Sequence, residues 1–451
     1  MRVTDSSCEF VDDPVEEARR KRAETFSAFL HDEVMGAGAL LVAAIVALVL
    51  ANSPIGLRFE HFWELEAGFF AGQFHVSQSL LHWIDDALMA LFFFVVGLEI
   101  KREVLVGELS ARRKAALPIL AAVGGMIAPA LIYVAMNAGG ATARGWGIPM
   151  ATDIAFVIGV MALLGDRVPS GLKVFLVALA IADDIGAILV IAIFYTAHVS
   201  FGWLGVAAVV LVGLIALNRA HVDSPVPYAA LGIMLWFAVL LSGVHATIAG
   251  VLVAFTIPAA ARIDPLAFTR SARSQLQAIE AADVPGLHVL VNDEQQRCAY
   301  AIRAEARHTA APLQRLEFAL HPWTTFLVLP LFALANAGVR VIGVSPLEIF
   351  RQPVALGVIL GLLLGKPLGI TIMSWIAVRL RLADLPEGVG WAHIGGAGIL
   401  GGIGFTMSIF VTGLAFRSSE FAMEAKAAVL GASLLAGILG YLVLAAIPKR
   451  A

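Results

Sequence analysis

The sequence predicts an all-α integral membrane protein of about twelve transmembrane helices, and three observations carry that reading. Hydrophobic residues make up 59% of the 451 and charged residues only 14%, against about 25% charged in a soluble domain. Mean hydropathy is +0.86. Nearly uncharged stretches of roughly 20 residues, the length that crosses a hydrocarbon core, recur between residues 34 and 447. This balance excludes a soluble globule, a disordered chain and a coiled coil. A formal net charge of −3 leaves no basic footprint for nucleic acid. Cys8 and Cys298 lie too far apart in sequence to suggest a disulfide framework, and no CxxC or HExxH cluster occurs.

Residues 1–33 are polar, without the short apolar core of a cleavable leader, so the first span is expected to serve as an uncleaved insertion signal. Spans are then read near 34–52, 84–100, 115–137, 146–165, 172–197, 201–217, 226–241, 243–261, 318–339, 353–378, 391–415 and 424–447. The stretch 226–261 is 36 residues without a charge, too long for one crossing, and Ser242-Gly243 marks a hairpin near its middle. Residues 53–80, aromatic and punctuated by glycine, are expected to form a small hairpin or interfacial patch. Residues 262–317 form an insertion whose second half, from Asn292 to Arg307, reads as a helix.

An even number of spans puts both termini on one side. Of the 31 Lys and Arg residues, 24 fall in the connections of that side, six on the other, and Lys366 on neither. With the long insertion set aside the count is still 17 against six, and the positive-inside rule makes both termini cytoplasmic. The expected organisation is a cytoplasmic N-terminal segment (1–33), a twelve-span domain (34–447) with a cytoplasmic insertion (262–317), and a short cytoplasmic tail (448–451).

Charges inside the spans are costly, by roughly 2.5–3.5 kcal/mol each on insertion scales. Asp153, Asp183, Asp184 and Lys366 carry such charges. One Asp–Lys bridge holding two helices explains Lys366 alone. It leaves at least two of the three acids uncompensated, which points to a site for small cations or protons. Asp183 and Asp184 are neighbours about 100° apart on one helix and can face different partners. A buried carboxylate offers hard oxygen to Na⁺ or Li⁺. Burial beside a like charge favours its protonated form as well. One site with two alternative occupants is the minimum for exchange.

Pro149 precedes Thr152 and Asp153, and six glycines occupy the ten positions 395–404. Both signals mark spans that could be broken; for the glycines alone close helix packing is the better explanation, and Asp153 beside Pro149 favours a break. Broken halves expose end charges that Asp153 and Lys366 could balance. At the far end of the second span, Glu99 and Glu103 share a helix face with Lys101 and Arg102 between them, which is either a pH-responsive pair or an ordinary helix end. His245, in SGVHATIAG, is either a proton sensor or a packing residue.

Together WIDDALMALFFFVVGLEIKRE, PMATDIAFVIGVMALLG, ALAIADDIGAILVIAIFYT, SGVHATIAG, LHPWTTFLVLPLFALANAGV, GLLLGKPLGI and GILGGIGFTMSIF resemble the NhaA-type bacterial sodium/proton antiporter family, in family order over roughly residues 30–447. The resemblance implies inverted three-helix repeats (spans 3–5 and 10–12) with broken crossing helices, an arrangement known for this family. It implies electrogenic, pH-regulated exchange of Na⁺ or Li⁺ for protons by alternating access, serving Na⁺ and internal pH homeostasis, without a cofactor. Asp184 would be the main cation and proton carrier with Asp183 beside it, Asp183 bridging to Lys366 when the cation is absent. Thr152 and Asp153 would lie in an unwound centre facing Gly401–Gly404, and Asp86 in an extracytoplasmic funnel. Glu99, Arg102, Glu103, His245, Arg315, Glu317 and His321 match positions tied to pH response at the cytoplasmic side. An inner-membrane homodimer joined through a β-hairpin in 53–80 is implied as well. Gln314 and Ala261 depart from the family's Lys and acidic residue, which bears on the pH set-point. A passive cation channel and an intramembrane aspartyl protease are the competing classes. The protease lacks its GxGD pattern, since Asp166 follows Leu163-Leu164-Gly165. A proton-independent flux would mark the channel.

Overall fold

A computed structural model describes residues 34–71, 74–196, 199–261, 263–282, 292–340, 348, 351–416 and 419–448. The expected segment 1–33 and most of the tail 448–451 lie outside them. Helix occupies each of the twelve expected spans. Span 1 is Val34–Ala51. Span 2 is built from a helix Leu80–Trp83, a π-turn Ile84–Leu88 and a helix Met89–Val106. Span 3 is Arg112–Asn137, and span 4 joins a 3₁₀ helix Ala141–Met150 to a helix Ile154–Leu164. Spans 5, 6 and 7 are Ser170–Phe194, Phe201–Arg219 and Pro225–Ser242, and span 8 is Thr247–Thr256. Span 9 is Pro312–Asn336 and span 10 Pro353–Arg379. Span 11 consists of Trp391–Gly401 and Phe405–Ala415, and span 12 is Ser419–Ala446.

Nine of these, among the described residues, are long and apolar enough to cross a bilayer alone, and the two halves of span 11, bent by 47°, make a tenth. Spans 2 and 8 fall short for different reasons. Span 2 carries Glu99, Lys101, Arg102 and Glu103 in its last turns. Span 8 is ten residues rather than the expected 243–261, because Gly243 turns the chain with φ +81° and Pro258 follows its end. A left-handed φ of that size suits glycine alone without strain.

The strands β1 (Glu66–Ala71) and β2 (Phe74–Ser79) pair antiparallel, Glu66 opposite Ser79, within the stretch expected to hold a hairpin. The insertion contains two helices, Pro265–Ala281 and Asp293–Thr309, the second close to the expected Asn292–Arg307. Asn292 caps it by accepting from Gln295 N at 3.2 Å.

The apolar core has two parts. The larger joins spans 3, 4, 5, 10, 11 and 12 through buried Leu176, Ile370, Leu400, Val429 and their neighbours. The smaller joins spans 6, 7 and 8 to Leu98 of span 2. Spans 3 and 10 approach at Gly124 and Gly369, where a Cβ on either would strike the other's backbone. Small residues at such a crossing let two backbones pack directly. Spans 3–5 and 10–12 are thus two three-helix units, each with its break in the middle member. Spans 3 and 10 are an odd number of crossings apart, so the units run in opposite directions.

Candidate ion site at the helix crossing

Chain breaks place the site. Residues Ala151–Asp153 interrupt span 4 and Gly402–Gly404 interrupt span 11, and the two gaps meet, with Asp153 N donating to Ile403 O at 2.7 Å. Each gap frees backbone groups that water cannot reach, so they need protein partners. The two helices satisfy each other. Thr152 Oγ1 donates to Gly401 O at 2.9 Å, and Ser408 Oγ donates to Ile148 O at 2.7 Å, so each first half is capped from the other span. At the opposite ends, Asp153 Oδ1 accepts from Phe156 N at 3.3 Å and its Oδ2 from Thr406 N at 3.1 Å. The Thr406 hydroxyl donates to the same Oδ2. One carboxylate therefore faces the N-termini of two half-helices, where the dipoles favour negative charge. Ser433 of span 12 adds a cap, accepting from Phe405 N at 3.1 Å.

Positive charge enters from span 10. Lys366, 1% exposed, follows a π-turn at Gly361–Gly365. The turn is packed by Gly361 against Pro149 and by Gly365 against Pro129. Its Nζ donates to Thr152 Oγ1 at 2.8 Å and to Asp183 Oδ2 at 2.7 Å. Asp183 and Asp184 are 2% and 4% exposed on span 5. Among the described residues nothing hydrogen-bonds the buried Asp183 Oδ1. Asp184 has Asp183, Glu99, Asp153 and Lys366 as electrostatic neighbours, three acids against one ammonium. A buried charge requires a partner, and here the acids outnumber the base.

The second group of expected residues is assembled only in part. Arg102 of span 2 pairs with Glu317 of span 9 and lies 3.3 Å from Glu103 Oε1. Glu103 Oε2 accepts from Glu108 N at 3.0 Å. Glu99 acts on Arg102, and His321 on Glu317. Arg315 turns to the insertion, donating to Arg307 O at 3.1 Å. His245 does not join them. It lies at the start of span 8, against Thr247 Oγ1 at 2.9 Å and the Phe410 ring at 5.5 Å. The end of that span is where Lys101 Nζ donates to Phe255 O at 2.7 Å and Ile257 O at 2.5 Å, so about 15 Å of helix separates His245 from the acidic face. His245 therefore packs in the aromatic layer, apart from the acidic face of Glu99 and Glu103. Asp86 lies in the π-turn of span 2, its carbonyl accepting from Trp236 Nε1 at 3.2 Å.

Thr406, Ser408 and Ser433 were not among the expected residues. For Thr406 and Ser408 the only trace in the sequence is hydroxyls following the glycine run in GGIGFTMS, an ordinary feature of membrane helices, and Ser433 of span 12 leaves none.

Two oppositely directed three-helix units, crossing at broken helices around a buried cluster of acids with one ammonium, define the class of secondary transporters built from inverted repeats. The family model described as Na⁺/H⁺ antiporter 1 matches residues 27–444. The chain is 50% identical to the Na(+)/H(+) antiporter NhaA of Acidithiobacillus ferrooxidans, covering 94% of this chain and 98% of that one. It is 49% identical to the protein of the same name from Helicobacter pylori strain J99 (95% and 96% covered) and 47% to that of Wolinella succinogenes (92% and 91%). The chain belongs to the Na⁺/H⁺ antiporter 1 family.

Proposed function

We propose that this chain exchanges Na⁺, and Li⁺ in its place, for protons across the membrane by alternating access, as a transporter and not an enzyme. The name of the relatives, Na(+)/H(+) antiporter NhaA, supports Na⁺/H⁺ exchange. The observation that carries the mechanism is the Lys366–Asp183 contact of 2.7 Å beside Asp184. With no cation bound, the Lys366 ammonium neutralises Asp183 and holds Thr152. An arriving Na⁺ takes carboxylate oxygen from Asp184 and Asp183, displaces the ammonium and releases the protons held there. Asp153 and Thr152 keep the half-helix ends compensated while the two units move. Asp183 and Asp184 are thus the carriers; Thr152, Asp153 and Lys366 support them. No cofactor is required.

The proposal extends to electrogenic, pH-regulated exchange, in which more than one proton leaves the Asp183–Asp184–Lys366 group per Na⁺, with Glu99, Arg102, Glu103, Arg315, Glu317 and His321 at the cytoplasmic side. The Arg102–Glu317 contact supports this, because it ties span 2 to span 9 through groups that titrate. The proposal includes the bacterial inner membrane, with both termini and the insertion cytoplasmic, an orientation that the Lys/Arg bias supports. Asp86 then lies in an outer funnel and the β1–β2 hairpin faces a second copy in a homodimer.

Everted membrane vesicles holding the full chain test the reading. Addition of Na⁺ should dissipate a preformed pH gradient, with a rate that varies across the pH range. Cation flux that persists without any proton movement would favour a channel instead.

A further inference from the structure

Charge that the crossing does not use gathers at the hairpin end of the bundle. Asp85 stands in the π-turn of span 2, which the hairpin anchors through Trp83 Nε1 donating to Ala67 O at 2.8 Å. Asn336, 4% exposed, is the last residue of span 9, and its amide donates to Asp85 Oδ1 at 2.7 Å. The Asn336 carbonyl accepts from Lys426 Nζ of span 12 at 3.2 Å. Lys426 also has Asp85 as its electrostatic partner. A single amide thus links a carboxylate on span 2 to an ammonium on span 12.

This group lies one aromatic layer from the crossing. Asn336 follows Phe332 by one helical turn, and the Phe332 and Phe410 rings are 6.2 Å apart. Phe93 and His245 reach the same ring at 5.7 and 5.5 Å. Phe410 in turn follows Thr406, the partner of Asp153, by one turn. Along spans 2 and 9 the polar group therefore lies on the hairpin side of the aromatic layer, and the crossing on its other side.

The chemistry repeats what lies deeper. A carboxylate and an amide carbonyl are hard oxygen donors suited to a small monovalent cation. Here an internal ammonium sits on that amide oxygen, as Lys366 sits on Asp183. We propose that Asp85, Asn336 and Lys426 form a positioning relay for monovalent cations at the hairpin-side mouth, in which Lys426 is a built-in competitor of the incoming ion. The relay rests on the reading of the chain as a cation/proton exchanger. A purely structural tie between spans 2, 9 and 12 would give the two charges the same sign of effect. Competition gives them opposite signs.

The test uses the full chain in right-side-out and everted vesicles, with Na⁺-driven proton flux followed at each face. Lys426→Gln removes the competitor and should lower the KM for Na⁺ at the hairpin face by about threefold, the scale of one partly screened charge contact. Asp85→Asn removes the receiving carboxylate and should raise that KM by about as much. Neither shift should appear at the opposite face. Shifts of the same sign, equal shifts at both faces, or no shift in either variant would overturn the relay. Should Lys426→Gln not insert, Asp85→Asn decides: a KM raised at the hairpin face alone sustains the relay, and an unchanged KM or an equal rise at both faces ends it. A parental chain without Na⁺-driven flux fails the exchange reading itself, and the relay with it.

Discussion

Lys366 is the residue on which the charge balance turns. Its ammonium is buried and holds Asp183 at 2.7 Å, so removing either partner strands the other in an apolar interior. Breaking a fully buried pair costs about 3–5 kcal/mol, whereas replacing both members is often milder. Lys366→Ala and Asp183→Asn should each lower the thermal unfolding midpoint in detergent, and the double variant should recover part of the loss. A double variant less stable than both single ones would mean that the two groups do not compensate each other. Thr406→Val tests the other pole. It keeps the backbone bond to Asp153 but removes the hydroxyl, leaving a buried carboxylate short of one donor at a cost of about 1–3 kcal/mol. Exchange should slow by tenfold or more if that cost falls on one state of the transport cycle, on the scale of about 1.4 kcal/mol per tenfold. A rate equal to the parental one would remove Thr406 from the site. Asp153, Asp183, Asp184 and Lys366 were readable from sequence because a charge in a span needs a reason. Thr406, Ser408, Ser433 and Asn336 were not, since a hydroxyl or amide is cheap in a membrane helix and only the crossing reveals its partner.

Elements differ in how far their pattern announced them. The breaks at Ala151–Asp153 and Gly402–Gly404 follow proline and glycine signals, and the crossing gives those signals their meaning. The π-turn at Ile84–Leu88 left no trace in WIDDALMA, because one widened turn changes neither hydropathy nor length. Span 8 was overestimated because hydropathy continues past both ends of the helix into Gly243–Ala246 and the residues after Thr256. The glycines divide sharply as well. A Cβ at Gly369 meets the Gly124 backbone, whereas one at Gly413 meets nothing within 4 Å. Gly369→Val should therefore reduce the folded yield through overpacking of about 1–3 kcal/mol or more, and Gly413→Ala should not. Equal yields from the two would mean that spans 3 and 10 are not held by close backbone packing.

At the scale of the whole molecule, three charged centres lie along the bundle. The first is the crossing around Asp184, the second the Arg102–Glu317 contact joining span 2 to span 9, and the third the Asp85–Asn336–Lys426 group at the hairpin end. Separation of the second from His245 by the length of span 8 yields a prediction on pH. Glu317→Gln should shift the pH profile of exchange, while His245→Ala, whose ring meets Phe410 and not the acidic face, should leave the profile's position alone. The opposite pattern would move the sensor to the aromatic layer. The number and order of the spans were largely legible because hydropathy is a property of whole segments. Contacts between spans were not, because they join residues hundreds of positions apart.

The central claim is that one carboxylate, Asp184, alternates between a cation and a proton. Proton release on addition of Na⁺ to the purified chain in detergent tests it without a membrane or a gradient. The parental chain should release protons as Na⁺ binds, and Asp184→Asn, with its thermal midpoint retained, should release none. Sodium-dependent proton release from folded Asp184→Asn would contradict the assignment.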